Sequence, residues 1–177
     1  MNVLSMSTRQ LSRPRAISLV PDKLGLGGAL AGLVGGAAMS SVAALLAAAY
    51  GYDGWFQLKV IASLALGPAA VEQPGFAAIP VLAGLAIHLV VATLLGTLFA
   101  IVTRRMLRLP SDFGMPAMTG LVFGLILWLA AYLVVPALAP QLMGIYAPAF
   151  IIQHIVYGTV TGLVYSVLRP QPYAATG

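Results

Sequence analysis

The chain has 177 residues, of which 60% are hydrophobic and 7% charged, and its mean hydropathy of +0.98 lies outside the range of soluble domains. Nine Lys and Arg against four Asp and Glu give a formal charge of +5. The basic residues sit in short segments flanking apolar runs, so the charge reads as membrane topology and excludes a nucleic-acid groove. With no cysteine, disulfides, thiolate metal sites and cysteine nucleophiles are excluded as well.

Residues 1–23 are polar, with Arg9, Arg13, Arg15 and Lys23 but no long apolar run, and read as a flexible cytoplasmic tail rather than a secretory signal. Residues 24–50 carry no charge and suffice to cross a hydrocarbon core, which takes about 20 helical residues. Gly28, Gly32 and Gly36 recur every fourth residue in this span, a spacing that lets membrane helices approach at backbone distance.

Residues 51–67 differ. Trp55, Phe56, Leu58, Ile61 and Leu64 recur at roughly helical spacing beside Asp53 and Lys59. The segment is too short to span, and it predicts an amphipathic helix at the membrane surface, anchored by Trp55 and Phe56. Gly67, Pro68, Glu72, Pro74 and Gly75 then break the chain.

A second span, 79–103, contains His88 and ends at Arg104, Arg105 and Arg108; Pro110, Ser111 and Asp112 form a turn and helix cap. The third, 113–135, carries Gly120 and Gly124 and stops before Pro136. The fourth, 148–168, follows Pro140 and begins at Pro148, contains His154 and leads to Arg169 and a short cytoplasmic tail, 170–177. The domain expected within the membrane is therefore 24–169. Because Lys and Arg accumulate on the cytoplasmic side, the charges place both termini there, with Lys59 alone on the other face.

The chain also repeats itself. His88, Ala92, Thr93 and Gly96 match His154, Gly158, Thr159 and Gly162 at an offset of 66, while Gly32 and Gly36 match Gly120 and Gly124 at an offset of 88. The extra residues belong to the surface segment, which only the first half has. The expected fold is an all-α integral membrane protein of four transmembrane helices. They form two pseudo-symmetric parallel hairpin repeats, related by an axis along the membrane normal, plus one interfacial helix.

Gly32 and Gly36, Trp55 with Ile61 and Ala62, His88 with Gly96, and His154 with Tyr157, Gly158 and Gly162 give a pattern that resembles the YagU-like group of small bacterial inner-membrane proteins. The resemblance covers most of 24–169. It implies four spans and a bacterial inner membrane, and it transfers no catalytic residue, because that group has no settled activity.

His88 and His154 are the only histidines. At 1.5 Å per residue they lie about 22 to 24 Å from Arg104 and Arg169, at matching depth. Each shares a helix face with small residues, Ala92 and Gly96 or Gly158 and Gly162, and so points into the bundle. Two such imidazoles suit the axial positions of a b-type haem, or a shared proton or metal ion. They suit equally a structural role, each bonding a facing hydroxyl or carbonyl; Thr93, Thr159, Tyr157, Gln153, Ser40 and Ser41 are the candidate partners.

No acidic residue falls within a span, so no carboxylate relay or acid–base pair is built into the membrane. Asp53, Glu72 and Asp112 read as solvated loop or cap charges, and Trp128, Tyr132, Tyr146 and Phe150 as interface anchors or bundle core. No phosphate-binding glycine motif occurs. The sequence thus points to a non-enzymatic structural or accessory membrane component, lodged in the bilayer as a homo-oligomer or with other membrane subunits. The alternatives are a small proton or metal carrier or channel using His88 and His154, and a bis-histidine haem protein.

Overall fold

The computed structural model describes residues 25–107, 114–138, 140 and 147–168. The expected tails, Arg108, Pro110 to Asp112, Tyr146 and Arg169 lie outside the described residues, as do the side chains of Arg104 and Arg105. Among the described residues five α-helices follow in order: α1 Leu26–Ala49, α2 Phe56–Leu66, α3 Ala78–Ile101, α4 Met115–Leu138 and α5 Ala147–Leu168. Four of them, all but α2, are long and apolar enough to cross a membrane. The protein is a multi-pass, all-helical membrane bundle.

Two helix ends depart from the sequence reading. The third span continues to Leu138 with Pro136 inside it; a proline so close to the C-terminus removes one hydrogen bond and bends only the final turn. The second span winds into a π-turn over Val102–Met106, where the Leu107 N–H donates to the Val102 carbonyl at 2.9 Å.

The packing order is α2, α3, α1, α5, α4. The central helix α1 packs mainly on two neighbours, and its small residues divide between them. Gly28, Gly32 and Gly36 face α3, and a Cβ at these positions would fall 2.3 to 2.5 Å from Gly96 O, Ala92 O and the Ala92 Cβ. One residue round the helix, Gly35 faces α5, where a Cβ would lie 2.3 Å from Thr161 Oγ1 and 2.9 Å from Tyr157 O. The pair Gly35-Gly36 therefore serves two partners at once, which a stripe at four-residue spacing alone does not reveal.

Within each hairpin the seam repeats. A Cβ on Gly96 would meet Gly28 O at 2.3 Å, and one on Gly162 would meet Pro116 O at 2.0 Å; likewise Gly32 rests on Ala92 O and Gly96 Cα, and Gly120 on Gly158 O and Gly162 Cα. These contacts map onto one another through the offsets of 88 and 66. Between the hairpins the match ends: α1 meets α5 broadly, whereas α3 and α4 have no extensive contact. The cause is in the residues. Phe123 stands where the repeat would have Gly35, and Val91 and Leu95 where it would have Tyr157 and Thr161. At the centre the equivalent rings Phe99 and Tyr165 meet edge-on at 5.9 Å, and Phe99 also packs on Phe123 at 5.2 Å.

One hydrogen bond ties α5 to α3 across the middle. The buried Tyr157 hydroxyl donates to the Ala92 carbonyl at 2.7 Å, the same carbonyl against which Gly32 closes. Tyr157→Phe keeps the ring and loses only this bond, so it should destabilise by about 1 kcal/mol, read as a modest fall in the melting midpoint in detergent.

The second helix does not offer its apolar face to the bundle. Its buried side consists of Lys59, Val60, Ala62 and Ser63, while Leu64 and Leu66 are exposed. It lies against α3 at Gly84, where a Cβ would stand 1.9 Å from Leu58 O. The helix ends at Gly67, whose φ of 80° favours glycine.

Candidate functional site

The repeat leads to the two histidines, and the structure gives them different surroundings. His88 Nε2 lies 3.1 Å from the Gly36 carbonyl, a bond across the α1–α3 seam. His154 Nδ1 lies 2.8 Å from the carbonyl of Phe150, four residues back on its own helix. A carbonyl only accepts, so each of these nitrogens carries the proton and donates; the neutral tautomers are opposite, with the lone pair on Nδ1 of His88 and on Nε2 of His154.

Position 84 explains the difference. Counting by the offset of 66, Gly84 corresponds to Phe150. Gly84 leaves the space that α2 fills, whereas the Phe150 ring packs edge-on against the His154 imidazole with centroids 4.4 Å apart. In the second hairpin Gly158 replaces Ala92, and Gly124 comes against the His154 and Gly158 backbone. In the first, the Ala92 methyl stands at Gly36, beside the carbonyl that His88 reaches.

None of the expected side-chain partners bonds an imidazole. Thr93 donates to Leu89 O at 2.7 Å and Ser41 to Ala37 O at 3.0 Å, the usual back-bonds of hydroxyls on helices. Tyr157 bonds Ala92, as described. Ser40 Oγ and Thr159 Oγ1 are buried without a hydrogen-bond partner among the described residues. Gln153, only 2% exposed, pairs its Oε1 with Gln57 Nε2 at 2.7 Å, joining α5 to α2. This link was not anticipated; its signal was Gln153, a lone amide in an apolar span.

As a haem site the pair fits poorly. His88 commits Nε2 to the α1 backbone, and the glycine seam beside it has no room even for a methyl. Among the described residues no group of three or more His, Cys, Asp or Glu side chains comes together.

The loop before α2 holds a polar cluster. Asp53 serves there as a loop and cap charge, as the sequence suggests, and it also pairs with Lys59, which is 1% exposed. The Lys59 ammonium donates to Asp53 Oδ2, to Gln73 O at 2.6 Å and to Gly75 O at 3.1 Å, so all three of its protons are used. Asp53 Oδ1 also accepts the Trp55 N–H at 3.0 Å, closing the turn that starts α2. Burial works to raise the Asp53 pKa, but the Lys59 hydrogen bond, the Trp55 and Gly75 N–H groups and the lysine charge together hold it below the ordinary 3.8. The cluster pins the return segment to α2. Trp55 is exposed and meets Phe76 edge-on at 5.2 Å, while Phe56 is half-buried.

Above this cluster a half-open cleft of about 270 Å³ lies between α1, α2 and α3. Ser40, Ser41, Trp55, Gln57, Leu85 and His88 are on its walls, which are mostly apolar.

No curated protein and no solved structure matches the chain. The YagU-like resemblance finds no support in these comparisons. A family profile does match, over residues 23–176, which takes in all five helices. The chain belongs to the family of unknown function DUF6789.

Proposed function

We propose that this protein is a non-enzymatic structural or accessory component of a bacterial inner membrane, with both termini cytoplasmic, working as a homo-oligomer or beside other membrane subunits. The observation that carries this reading is how the polar side chains of the spans are used. His88, His154, Tyr157, Thr93 and Gln153 each bond a helix carbonyl or the half-buried Gln57 amide, so they tie helices together or cap their own turn. No acid accompanies them as a proton acceptor. The YagU-like kinship, which agrees on four spans and on location, belongs to the same reading, as do Trp55 and Phe56 as interfacial anchors.

Single substitutions of the histidines test it. His88→Ala removes a bond between helices, and His154→Ala a bond within one helix. The first should lower the melting midpoint in detergent by the equivalent of about 1 kcal/mol, and the second by clearly less. Equal midpoints for both variants and the native chain would remove the tethering role.

A further inference from the structure

The end of the bundle that carries α2 is almost free of charge. Its two connections, from Tyr50 to Ala77 and from Pro136 to Pro148, hold only Asp53, Lys59 and Glu72 as charged residues. Asp53 and Lys59 pair with each other, and the three ammonium protons of Lys59 are all used within that cluster. Glu72 is exposed, and its carboxylate has no partner among the described residues. This end therefore presents one unpaired negative charge and no available cation.

Aromatic faces stand close to that charge. Trp55 and Phe76 meet edge-on at 5.2 Å with their planes 71° apart, which makes a corner, and both rings are exposed, 42% and 59%. The buried clasp holds the corner in place: Lys59 grips the Gln73 and Gly75 carbonyls, and Asp53 accepts the Trp55 N–H. Glu72 lies four residues before Phe76 on the clasped segment, a reach of at most about 14 Å, and Gly75, with φ 67°, turns the chain between them. A belt of aromatic anchors alone has no use for a carboxylate.

Resting on the interfacial position of Trp55 proposed above, we propose that this surface binds the ammonium headgroup of a zwitterionic phospholipid of the ethanolamine class. The ammonium sits against the Trp55 and Phe76 faces, where the ring quadrupole attracts a cation, and Glu72 supplies the counter-charge. An anionic glycerol headgroup gains neither contact and is repelled by Glu72. No free Lys or Arg at this end receives its phosphate.

The chain has two tryptophans, so Trp128→Phe leaves Trp55 as the single reporter. The test is quenching of Trp55 fluorescence in this full-length parent, reconstituted in nanodiscs that mix phosphatidylethanolamine and phosphatidylglycerol in varying ratio. One lipid or the other carries bromine on its upper acyl carbons. Contact quenching reads only the lipid beside Trp55, whatever the opposite leaflet contains. The expected result is that phosphatidylethanolamine is favoured about fivefold over its mole fraction, the combined effect of an exposed ion pair and an exposed cation–π contact. Glu72→Gln and Phe76→Leu should each cut the preference to about twofold. Glu72→Lys should turn it toward phosphatidylglycerol. Occupancy equal to mole fraction in the parent, or a preference unchanged by both Glu72 substitutions, would overturn the proposal; the first result would leave the patch to a basic partner protein. Absence of quenching by either lipid would refute the interfacial position of Trp55 as well.

Discussion

Gly96→Val should leave almost no correctly folded protein. A Cβ at this position would stand 2.3 Å from Gly28 O, 2.5 Å from Gly32 Cα and 2.7 Å from Gly32 N. All three are backbone atoms of α1, so no rotamer change relieves the clash, and the two helices must separate along the seam. Overpacking a close contact costs about 3 kcal/mol or more when the neighbour is rigid, and here separation also exposes the His88–Gly36 bond and the Ala92 carbonyl that Tyr157 uses. Gly162→Val should do equivalent damage in the second hairpin, since its Cβ would meet Pro116 O at 2.0 Å. Gly114→Val is the control: no described residue lies within 4 Å of a Cβ there, and its midpoint should stay near that of the native chain. Size-exclusion profile and melting midpoint in mild detergent read all three. A native-like midpoint for Gly96→Val would mean that α1 and α3 do not meet at their glycines.

The second large effect is expected at Lys59. In Lys59→Met the methionine keeps much of the side-chain length, yet the Gln73 and Gly75 carbonyls lose their donor and Asp53 loses its counter-charge. Removing one partner of a buried ion pair costs about 3 to 5 kcal/mol. Asp53 is 27% exposed and can rehydrate, so the loss belongs at the lower end, about 3 kcal/mol. Hydrogen exchange should show the segment from Gly67 to Ala77 opening first. Acid sensitivity gives an independent check. The Asp53 pKa is lowered in the folded protein, so its stabilisation is fully present above the ordinary value of 3.8 and is lost as pH falls through the folded value. The native chain should therefore lose part of its stability between about pH 5 and pH 2, and Lys59→Met should lose less over that window. Equal acid sensitivity in the two would dissociate Asp53 from Lys59.

The four long helices were legible because each is a charge-free apolar run bounded by Arg, Pro or Gly, and periodicity exposed the seam residues. A stripe such as Gly28, Gly32 and Gly36 states that a helix comes close, and the matching stripe in the same hairpin, Ala92 and Gly96, supplies its partner. The arrangement between hairpins was not legible, because it depends on unlike residues, Gly35 against Thr161 and Tyr157, that no repeat announces. The histidines were located but not their partners: backbone carbonyls carry no sequence signal, and Gly36 O and Phe150 O are the acceptors. Lys59 misled for a related reason. In α2 the spacing of apolar residues suggested that the charged side faced water, yet the carbonyls of the Pro/Gly return segment fold over the lysine and replace its solvent. What a buried charge bonds to is decided by where a loop returns, and local pattern does not encode that.

The central claim is that His88, Tyr157 and Gln153 tie the helices together and that the two histidines do not conduct. Proton flux into liposomes containing the purified chain, read with an entrapped pH dye under an imposed potential, tests this most directly. The account predicts a leak equal to that of protein-free liposomes, for the native chain and for the His88→Ala, His154→Ala double variant alike. Flux that is present in the native chain and lost in the double variant, with the bundle still folded, would contradict it and establish the histidines as a pathway.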